Sequence, residues 1–466
     1  MLTQVGNFLV FLLFLFVTSG VSYSQEKSNI IVIKEIKILG NKTTHENIIT
    51  REIPVNINDT IASKDLLQIL DRTKSNLFNT SLFNFVTVES VYFDETNISI
   101  YITVEERWYW WPIPIFEIEE TNFNTWWQEK NFNRANYGLF MAKENFRGRK
   151  ETVMVMFQAG YTEKIGLKYV VPYVNKKKTS GLSIKFSYSR NHEVSYATTA
   201  NIRNFYKSDD YLKKEIRASL GYEFRPKLYD KHIFYLDYTK VEVVDSVLFF
   251  NNDFLENGDN LMQFLSLNYT LKRDKRNNRA YPTKGHYFDL DVKKSGFGVI
   301  GNKLNSLYFT TQIKKFWELS NRFFLAGSLK SKYTIKEGPY YLYNGLGYRN
   351  NLVRGYELYL IQGEHYGLMK TQLRYALLKN KVFNFKAIPA KKFNKIPLAI
   401  YLGSYIDAGY VSSKINSSNN FLANKTLFGG GFSVDFVTYY DMVLRVEYSL
   451  NELQESGIFL HFVAPI

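Results

Sequence analysis

Apolar and polar residues alternate along most of the chain, from Trp108 to the C-terminus. In the segment Leu265–Leu271, Leu or Tyr occupies every second position, and Ser, Asn or Thr fills the positions between. The segment Met442–Leu450 repeats this period of two, with Arg445 and Glu447 on its polar side. Such a period indicates β-strands, and charges on the polar face fit a water-filled lumen better than the dry core of a sandwich. The pattern therefore predicts a transmembrane β-barrel.

The number of alternating segments sets the size of this barrel. About 16 of them lie between Tyr137 and the C-terminus, and an even number is the rule for bacterial outer-membrane barrels. The roughly 355 residues after Trp111 give about 22 residues for each strand with its share of turn, which suits strands of ~10 residues. We expect a membrane β-barrel of about 16 antiparallel strands over residues 137–466.

The composition agrees with a membrane barrel and argues against other classes. Aromatic residues make up 17% of the chain, with 35 Tyr and 37 Phe, and Tyr and Trp suit the boundary between lipid and water. Cysteine is absent, which removes disulfide frameworks and thiolate metal sites. The net charge is +15, but no compact block of Lys and Arg dominates. We attribute it to a polar lumen and to turns near anionic lipids, so we expect membrane lipids and no nucleic acid as partners.

The N-terminus resembles a secretory signal. The apolar run from Phe8 to Val17 is too short to span a bilayer as a helix, and small residues follow it. We expect residues 1–24 to be a signal peptide, cleaved before Gln25. The alternative is an uncleaved anchor, because the stretch from Met1 to Asn7 lacks Lys and Arg.

Residues 28–106 predict a small α+β domain with the order β-α-α-β-β. The segments that give this order are a strand from Ile31 to Ile38, helices from His45 to Arg51 and from Ser63 to Asn79, and strands from Phe85 to Phe93 and from Ile98 to Val104. About 80 residues can bury a modest core of their own. A junction over residues 107–136 follows, and three of its Trp residues lie between Arg107 and Pro112. We interpret it as an interfacial aromatic anchor, with a hinge between the two domains as the alternative.

Several motifs resemble those of a known family, the BamA/TamA-type outer-membrane assembly factors or bacterial surface antigens. Residues 36–44 and 104–106 are similar to the beginning and end of one POTRA domain. Residues 273–285 are similar to the family's turn before the ninth barrel strand. Residues 352–356, Leu-Val-Arg-Gly-Tyr, are similar to the tip of its sixth external loop, and residues 405–409, Tyr-Ile-Asp-Ala-Gly, to a signature on its thirteenth strand. The motifs occur in the family's order and span nearly the whole mature chain.

The resemblance implies two groups of site residues. The loop tip would fold back into the lumen, where Arg354 would pair with Asp407 on the barrel wall. The residues of this implied lock are Arg354, Gly355, Tyr356, Asp407 and Gly409, and those of the ninth-strand turn are Asp274, Asn277, Pro282 and Gly285. The lock would support a gated state of the barrel; the alternative is that it only stabilises the fold.

The sequence departs from the family pattern in three places. It has room for one POTRA domain, whereas the assembly factors usually carry several. The twelfth strand carries Gln372 beside Arg374, where the family has Glu. The last strand, from Gly457 to Phe462, does not end the chain on an aromatic residue, because the chain continues to Ile466.

The resemblance implies a protein of the outer membrane, with its N-terminal domain in the periplasm, that inserts client proteins or translocates a polypeptide. Clients would add as a strand to the POTRA sheet edge, and at a barrel seam between the segments Tyr137–Lys143 and Gly457–Phe462. The alternatives are a dedicated secretion pore, a passive barrel and a barrel lipase. Unfolded outer-membrane or secreted clients are the expected partners, and accessory lipoproteins are further candidates. The basic stretch from Lys379 to Lys395 is interpreted as a lipid-facing turn, with an acidic partner as the alternative.

No enzyme motif stands out in the sequence. A nucleophile elbow, a glycine-rich phosphate loop and a His pair at metal-ligand spacing are all missing, and the six His residues are scattered. We therefore expect a protein that is not an enzyme, with no catalytic residues, no cofactor and no metal.

Overall fold

The computed structural model describes residues 30–118, 132–301, 304–348, 351–387, 390, 392–414, 420–438 and 440–462. The predicted signal peptide, residues 1–24, lies outside the described residues, as do Trp126 and Trp127 of the junction and the C-terminal Ile466. Within the described ranges, no helix has the length and apolarity needed to cross a membrane.

The N-terminal domain is a four-stranded sheet covered by helices. Its elements are β1 (Ile30–Leu39), α1 (Glu46–Thr50), β2 (Thr60–Ala62), α2 (Leu66–Phe78), β3 (Phe83–Tyr92) and β4 (Asn97–Glu106), with a short 3-10 helix over Ser63–Asp65. The strand order is β2-β1-β4-β3, with β1 and β4 parallel. The predicted order β-α-α-β-β is confirmed, and the structure adds the short β2, which pairs antiparallel with β1.

Apolar residues at every second position of β4 hold this domain together. Ile98, Ile100 and Ile102 are fully buried and pack with Ile33 of β1 and Leu77 of α2. Burying one such side chain contributes about 1.5–3 kcal/mol, so this face can support a small independent core.

The rest of the described chain is mainly β-structure. Its elements are β5 (Trp110–Ile118), β6 (Ala135–Phe146), β7 (Glu151–Gly160), β8 (Thr162–Val171), β9 (Ser180–Asn191), β10 (Glu193–Thr199), β11 (Ile202–Lys207), β12 (Lys213–Phe224), β13 (Asp230–Val243), α3 (Asp245–Phe250), β14 (Leu261–Asp274), β15 (Gly285–Ser295), β16 (Ser306–Glu318), β17 (Phe323–Lys336), β18 (Gly345–Leu346), β19 (Ile361–Gln362), β20 (His365–Asn384), β21 (Lys395–Ser412), β22 (Thr426–Thr438), β23 (Val443–Asn451) and β24 (Ser456–His461). Short 3-10 helices cover Phe132–Arg134, Glu256–Gly258 and Tyr340–Leu342.

Sixteen of these strands form one antiparallel sheet, which confirms the predicted membrane β-barrel. The order is β24-β23-β22-β21-β20-β17-β16-β15-β14-β13-β12-β9-β8-β7-β6-β5, and β10 with β11 and β18 with β19 form separate pairs. Along β9, Leu182 and Ile184 are about half exposed on the outside, while Ser183 and Lys185 point inward and line lumen cavities. The alternation seen in the sequence is thus the alternation between outer surface and lumen.

The prediction that the first barrel strand lies at Tyr137–Lys143 is wrong. The sheet begins one strand earlier, with β5, so the aromatic junction itself supplies the first strand. The sequence of β5 lacks polar alternation and contains Pro112 and Pro114, which argue against a strand inside a sheet. An edge strand tolerates them, because only one of its sides must supply backbone donors.

The position of the N-terminal domain distinguishes the two ends, or rims, of the barrel. We call the rim that contacts this domain the near rim, and the opposite one the far rim. At the far rim, β10, β11 and α3 cover part of the opening around a small apolar cluster that includes Val241, Val247 and Leu255. The chain between β17 and β20, described over residues 337–348 and 351–364, starts at this rim and folds into the lumen; we call it the lumen loop.

Candidate functional site

The tip of the lumen loop is fixed to the barrel wall by a buried ion pair. Arg354 and Asp407 have fully buried side chains. The Arg354 guanidinium donates from Nε to Asp407 Oδ2 at 2.8 Å and from Nη2 to Oδ1 at 2.6 Å, and the Arg354 backbone N–H donates to Oδ2 at 3.2 Å. It also lies 3.7 Å from the ring centroid of Tyr405. This geometry is bidentate, and two-point contacts of this kind fix orientation as well as charge.

Close backbone packing explains the glycines around this lock. Gly355 has φ +95°, and a Cβ there would lie 2.8 Å from the Leu450 carbonyl oxygen. A Cβ on Gly409 would lie 2.4 Å from a methyl group of Val353. Asn451 donates to the Gly355 carbonyl at 2.7 Å. A larger residue at either glycine would push the tip away from the wall.

Tyr356 completes the attachment on the apolar side. Its side chain is 2% exposed and packs in a cluster with Leu346, Val353 and Leu422. The structure therefore brings together the lock residues on the loop and those on β21. It places them against β20 to β23, the part of the barrel that precedes its last strand.

A second buried network, not anticipated from the sequence, lies beside the lock. Arg445 of β23 makes a bidentate pair with Asp435 of β22, with both contacts at 2.7 Å. Tyr281 donates to Asp435 Oδ2 at 2.6 Å, and Arg445 also donates to Gln372 Oε1 at 2.9 Å. Gln372 also accepts a hydrogen bond from Arg374 at 3.1 Å. The neutral Gln372 is thus a hub between two arginines, where a glutamate would add a charge.

The ninth-strand turn is joined to this network. Arg374 donates to the Pro282 carbonyl at 2.9 Å, at the end of the turn between β14 and β15. Asp274 accepts from Arg276 through both carboxylate oxygens at 2.8 Å, and the side chain of Asn277 accepts from the backbone N–H groups of residues 283 and 284. Gly285 has φ +107° and leaves room only for a hydrogen atom, because a Cβ would lie 2.2 Å from the Lys275 carbonyl. These hydrogen bonds hold the turn in one conformation, and the turn in this conformation supports Arg374 on the lumen wall.

One set of side chains resembles a metal-ligand group by type. Glu357, Glu447 and His461 have ligand atoms within 4.8 Å of one another. His461 Nε2 lies 2.8 Å from Glu447 Oε1, so a hydrogen bond between neighbouring strands accounts for that pair. Lys370, 3.8 Å from Asp407, adds a buried positive charge to the same region. We interpret these side chains as contacts that attach β24 to the barrel at the level of the loop tip.

The N-terminal domain sits on the near rim through a buried ion pair. Glu52 accepts from Arg225 at 2.6 and 2.7 Å and from the Tyr173 hydroxyl at 3.0 Å, and both barrel residues belong to near-rim turns. Burial by itself would raise the pKa of Glu52, but the Arg225 hydrogen bonds and the charge of Lys150 outweigh it and lower the pKa to about 2. The carboxylate is therefore ionised at neutral pH.

Further contacts follow the rim on both sides of this pair. The domain also touches the turns after β6, β14, β20 and β22, through the pairs His45–Gly148, Asn79–Arg279, Asn84–Lys392 and Ser81–Asp441. With the Glu52 contacts, six near-rim turns hold the domain. Docked in this way, the domain covers the mouth of the barrel.

We expect Arg225→Ala to loosen this docking. Removing one partner of a buried pair costs about 3–5 kcal/mol, because the other charge stays buried and unpaired. Hydrogen–deuterium exchange of α1 and of the turn after β12 should increase in the full chain. Arg322→Ala is the matched control, since Arg322 lies in the near-rim turn after β16 and bonds to Tyr375 of the barrel. Equal exchange in both variants would contradict this role for Arg225.

The same pair gives a pH dependence with a definite sign. Because docking lowers the pKa of Glu52 to about 2, its stabilising contribution is complete above the pKa of a free carboxyl and is lost as the pH falls from about 4 through 2. The protection factor of α1, which relates its amide exchange to that of an unfolded chain at the same pH, should therefore fall as the pH drops from about 4 through 2. Glu52→Gln should remove this acid dependence.

The strands β5 and β24 are the two end strands of the barrel sheet. The Trp111 ring of β5 lies 5.0 Å from the Tyr440 ring, so the first strand contacts the turn that leads into the last two strands of the sheet. We call the line between β5 and β24 the seam.

Two prolines point their backbone toward this seam. Successive strand residues direct their N–H and C=O groups to opposite sides. The Tyr109 carbonyl accepts from the Glu144 N–H at 2.8 Å and so faces β6; Pro112 and Pro114, at an odd distance from it, face the seam. A second hydrogen bond, from the Tyr161 N–H to the Ala135 carbonyl, shows that Ala135 of β6 faces β7, and so do the residues of β6 at even distances from it. Met141 and Leu139 are among these residues and lie opposite Pro112 and Pro114, so the two prolines face away from β6. Proline has no N–H, so the seam-facing edge of β5 lacks two donors in succession.

Comparisons with known proteins agree with this architecture. The model of the Omp85 superfamily domain matches residues 145–436, and the POTRA model, described as a surface antigen variable number repeat, matches residues 31–107. No curated protein matches the sequence.

Solved structures share the fold at low identity. BamA from Haemophilus ducreyi lacking POTRA domains 1–3 aligns with a TM-score of 0.50 and 15% identity, over 93% of this chain and 83% of that one. CdiB from Escherichia coli aligns with a TM-score of 0.48 and 10% identity, over 97% and 92% of the two chains. CdiB from Acinetobacter baumannii gives 0.45 and 11%, over 94% and 74%.

Proposed function

The chain belongs to the Omp85 superfamily, and we propose that it inserts client proteins into the bacterial outer membrane or translocates a polypeptide across it. Proteins of this superfamily are transporters or insertases, and they handle unfolded protein clients. In this proposal the barrel lies in the outer membrane and the POTRA domain in the periplasm. The near rim is then periplasmic and the far rim extracellular.

The observation that supports this proposal most is the seam. A barrel that only fills the membrane gains from closing every edge, because unpaired backbone groups in lipid cost several kcal/mol each. Here the edge of β5 lacks two backbone donors, so full pairing with β24 would leave carbonyl groups without partners. An incoming client strand can compete with such a partner more easily than with a fully paired one.

The POTRA sheet offers a second place for strand addition. Its edge strand β3 is ten residues long and pairs on one side only, with β4, among the described residues. An unpaired edge of this length can accept an extended peptide through backbone hydrogen bonds. Clients would then contact the POTRA edge first and the seam afterwards.

An insertion assay tests the proposal. Purified protein in lipid vesicles should accelerate the folding of an unfolded outer-membrane protein, measured by its shift to the folded form on an unheated gel. The matched control is the same protein heat-denatured before reconstitution. Folding at the rate of protein-free vesicles would contradict insertion. Uptake of a secreted polypeptide into the vesicles, without such folding, would instead indicate that the protein translocates polypeptides.

A further inference from the structure

A positively charged cavity of about 310 Å³ lies inside the barrel beside the POTRA domain. It touches POTRA residues Thr80 to Leu82 and reaches Lys168 and Lys185 on the inner wall. A second cavity, of about 530 Å³, begins at the same two lysines and extends to Tyr341 and Tyr343 of the lumen loop. The two cavities therefore adjoin at Lys168 and Lys185 and follow the wall from the near rim to the lumen loop; together we call them the track.

The charged residues that line the second cavity are mostly positive. They are Lys164, Lys168, Lys185, Arg217, Lys293 and Asp237. Arg217 contacts Glu215 and donates to the Tyr341 hydroxyl at 2.9 Å, so its charge is partly compensated. Within the described ranges the four lysines form no ion pair with a carboxylate at 4.0 Å or less, and Asp237 is the one carboxylate among the lining residues of this cavity. Enclosure by low-dielectric walls focuses such a field and concentrates anions.

Two of these lysines lie on neighbouring strands at positions where their positive charges repel each other. Lys168 of β8 and Lys185 of β9 are directly opposite each other in the strand register. Like charges at such positions destabilise a sheet. Lys185 is held with Nζ 4.2 Å from the ring centroid of Tyr235, which fixes its position over the track. An anion between the two ammonium groups would turn this repulsion into attraction.

We infer that this wall of the lumen binds an acidic segment of polypeptide, whose carboxylates pair with Lys168, Lys185 and the lysines around them. The inference rests on the proposed function, because it takes the ligand from a polypeptide client. An extended ligand fits better than a single small anion, since the two cavities adjoin at Lys168 and Lys185 and lie one after the other along the wall. Hydroxyl groups of Ser187, Ser219 and Tyr308 line the same track and can donate to carboxylates or to peptide carbonyls.

Binding of a short fluorescent polyglutamate peptide to the full-length protein in neutral nanodiscs tests the inference. We expect binding at low ionic strength that weakens as salt is added, and no binding of polyglutamine. The double variant Lys168→Gln/Lys185→Gln should weaken polyglutamate binding about tenfold. Lys168→Arg/Lys185→Arg should retain it, which separates loss of charge from loss of fold.

The matched control removes the same charge elsewhere. Lys34→Gln/Lys74→Gln changes two exposed lysines of the POTRA domain, and it should leave the affinity unchanged. Equal weakening in this control, or no binding by the wild type, would overturn the inference. Displacement of the peptide by inorganic phosphate at the same concentration would assign a free-anion site and overturn the polypeptide ligand. If the insertion assay succeeds while polyglutamate fails to bind, only the inference of an acidic-peptide site is wrong. If polyglutamate binds while the insertion assay fails, the peptide site is retained and the proposed function is wrong.

Discussion

Arg354→Ala is expected to abolish client assembly while the barrel still forms. The substitution leaves Asp407 buried without its bidentate partner and removes the guanidinium from the Tyr405 ring. Loss of one member of a buried pair costs about 3–5 kcal/mol, and the cost falls on the attachment of the lumen loop. We expect the loop tip to leave the wall, so that the gated state is no longer supported.

The measurement has two parts, folding and function. The folded barrel is recognised by its mobility on an unheated gel, and the loop is probed by limited proteolysis at the far rim. Arg354→Lys should be intermediate, because an ammonium keeps the charge but cannot span both carboxylate oxygens. Arg190→Ala is the matched control, since Arg190 makes a partly exposed pair with Glu163 that contributes at most about 1 kcal/mol.

A second variant protects this test against misfolding. Asp407→Asn keeps the shape of the side chain, removes its charge and replaces one of the two acceptor oxygens with an NH2 donor. If it folds and assembles clients like the wild type, the lock does not support gating, and its role is limited to stabilising the barrel.

Restoring the missing donors of β5 is expected to close the seam. In Pro112→Ala/Pro114→Ala, two backbone N–H groups again face β24 or a client strand, and each new hydrogen bond contributes about 0.5–1.5 kcal/mol. A better-paired seam should raise the thermal stability of the barrel and slow client insertion. Because the chain has no cysteine, pairs of introduced cysteines, one in β5 and one in β24, report closure without background. Their disulfide yield should rise in the double variant.

The matched control is Ile113→Ala. This residue lies between the two prolines, but its N–H faces β6, so its substitution changes the side chain without adding a seam-facing donor. If the proline variant shows the same cross-linking and the same insertion rate as this control, the missing donors do not set the behaviour of the seam.

The sequence predicted the barrel because lipid and water impose opposite demands on alternate residues. In β14, the apolar residues at every second position were enough to identify the strand. In β5 the same logic failed, since both faces are apolar and two prolines argue against pairing. Edge strands obey weaker rules, and only the observed pairing with β6 identifies this one.

The candidate site was only partly accessible to sequence reasoning. The loop motif around Arg354 pointed to the lock because of its resemblance to a family pattern. Asp435 and Arg445 gave no such signal, because an inward polar residue in a barrel strand looks the same whether it meets water or a buried partner. The docking of Glu52 on Arg225 was equally hidden, since it joins two segments that are far apart in the chain.

The proposed function is the movement of other polypeptides into or across the outer membrane. Quantitative proteomics of outer membranes from cells with and without the gene tests it most directly, with the Arg354→Ala variant as a further strain. We expect loss of client proteins in both the deletion and the variant: many barrels for a general insertase, or one or a few surface or secreted proteins for a dedicated system. An unchanged outer-membrane and secreted proteome in the deletion strain would rule out the proposed function and leave a passive barrel.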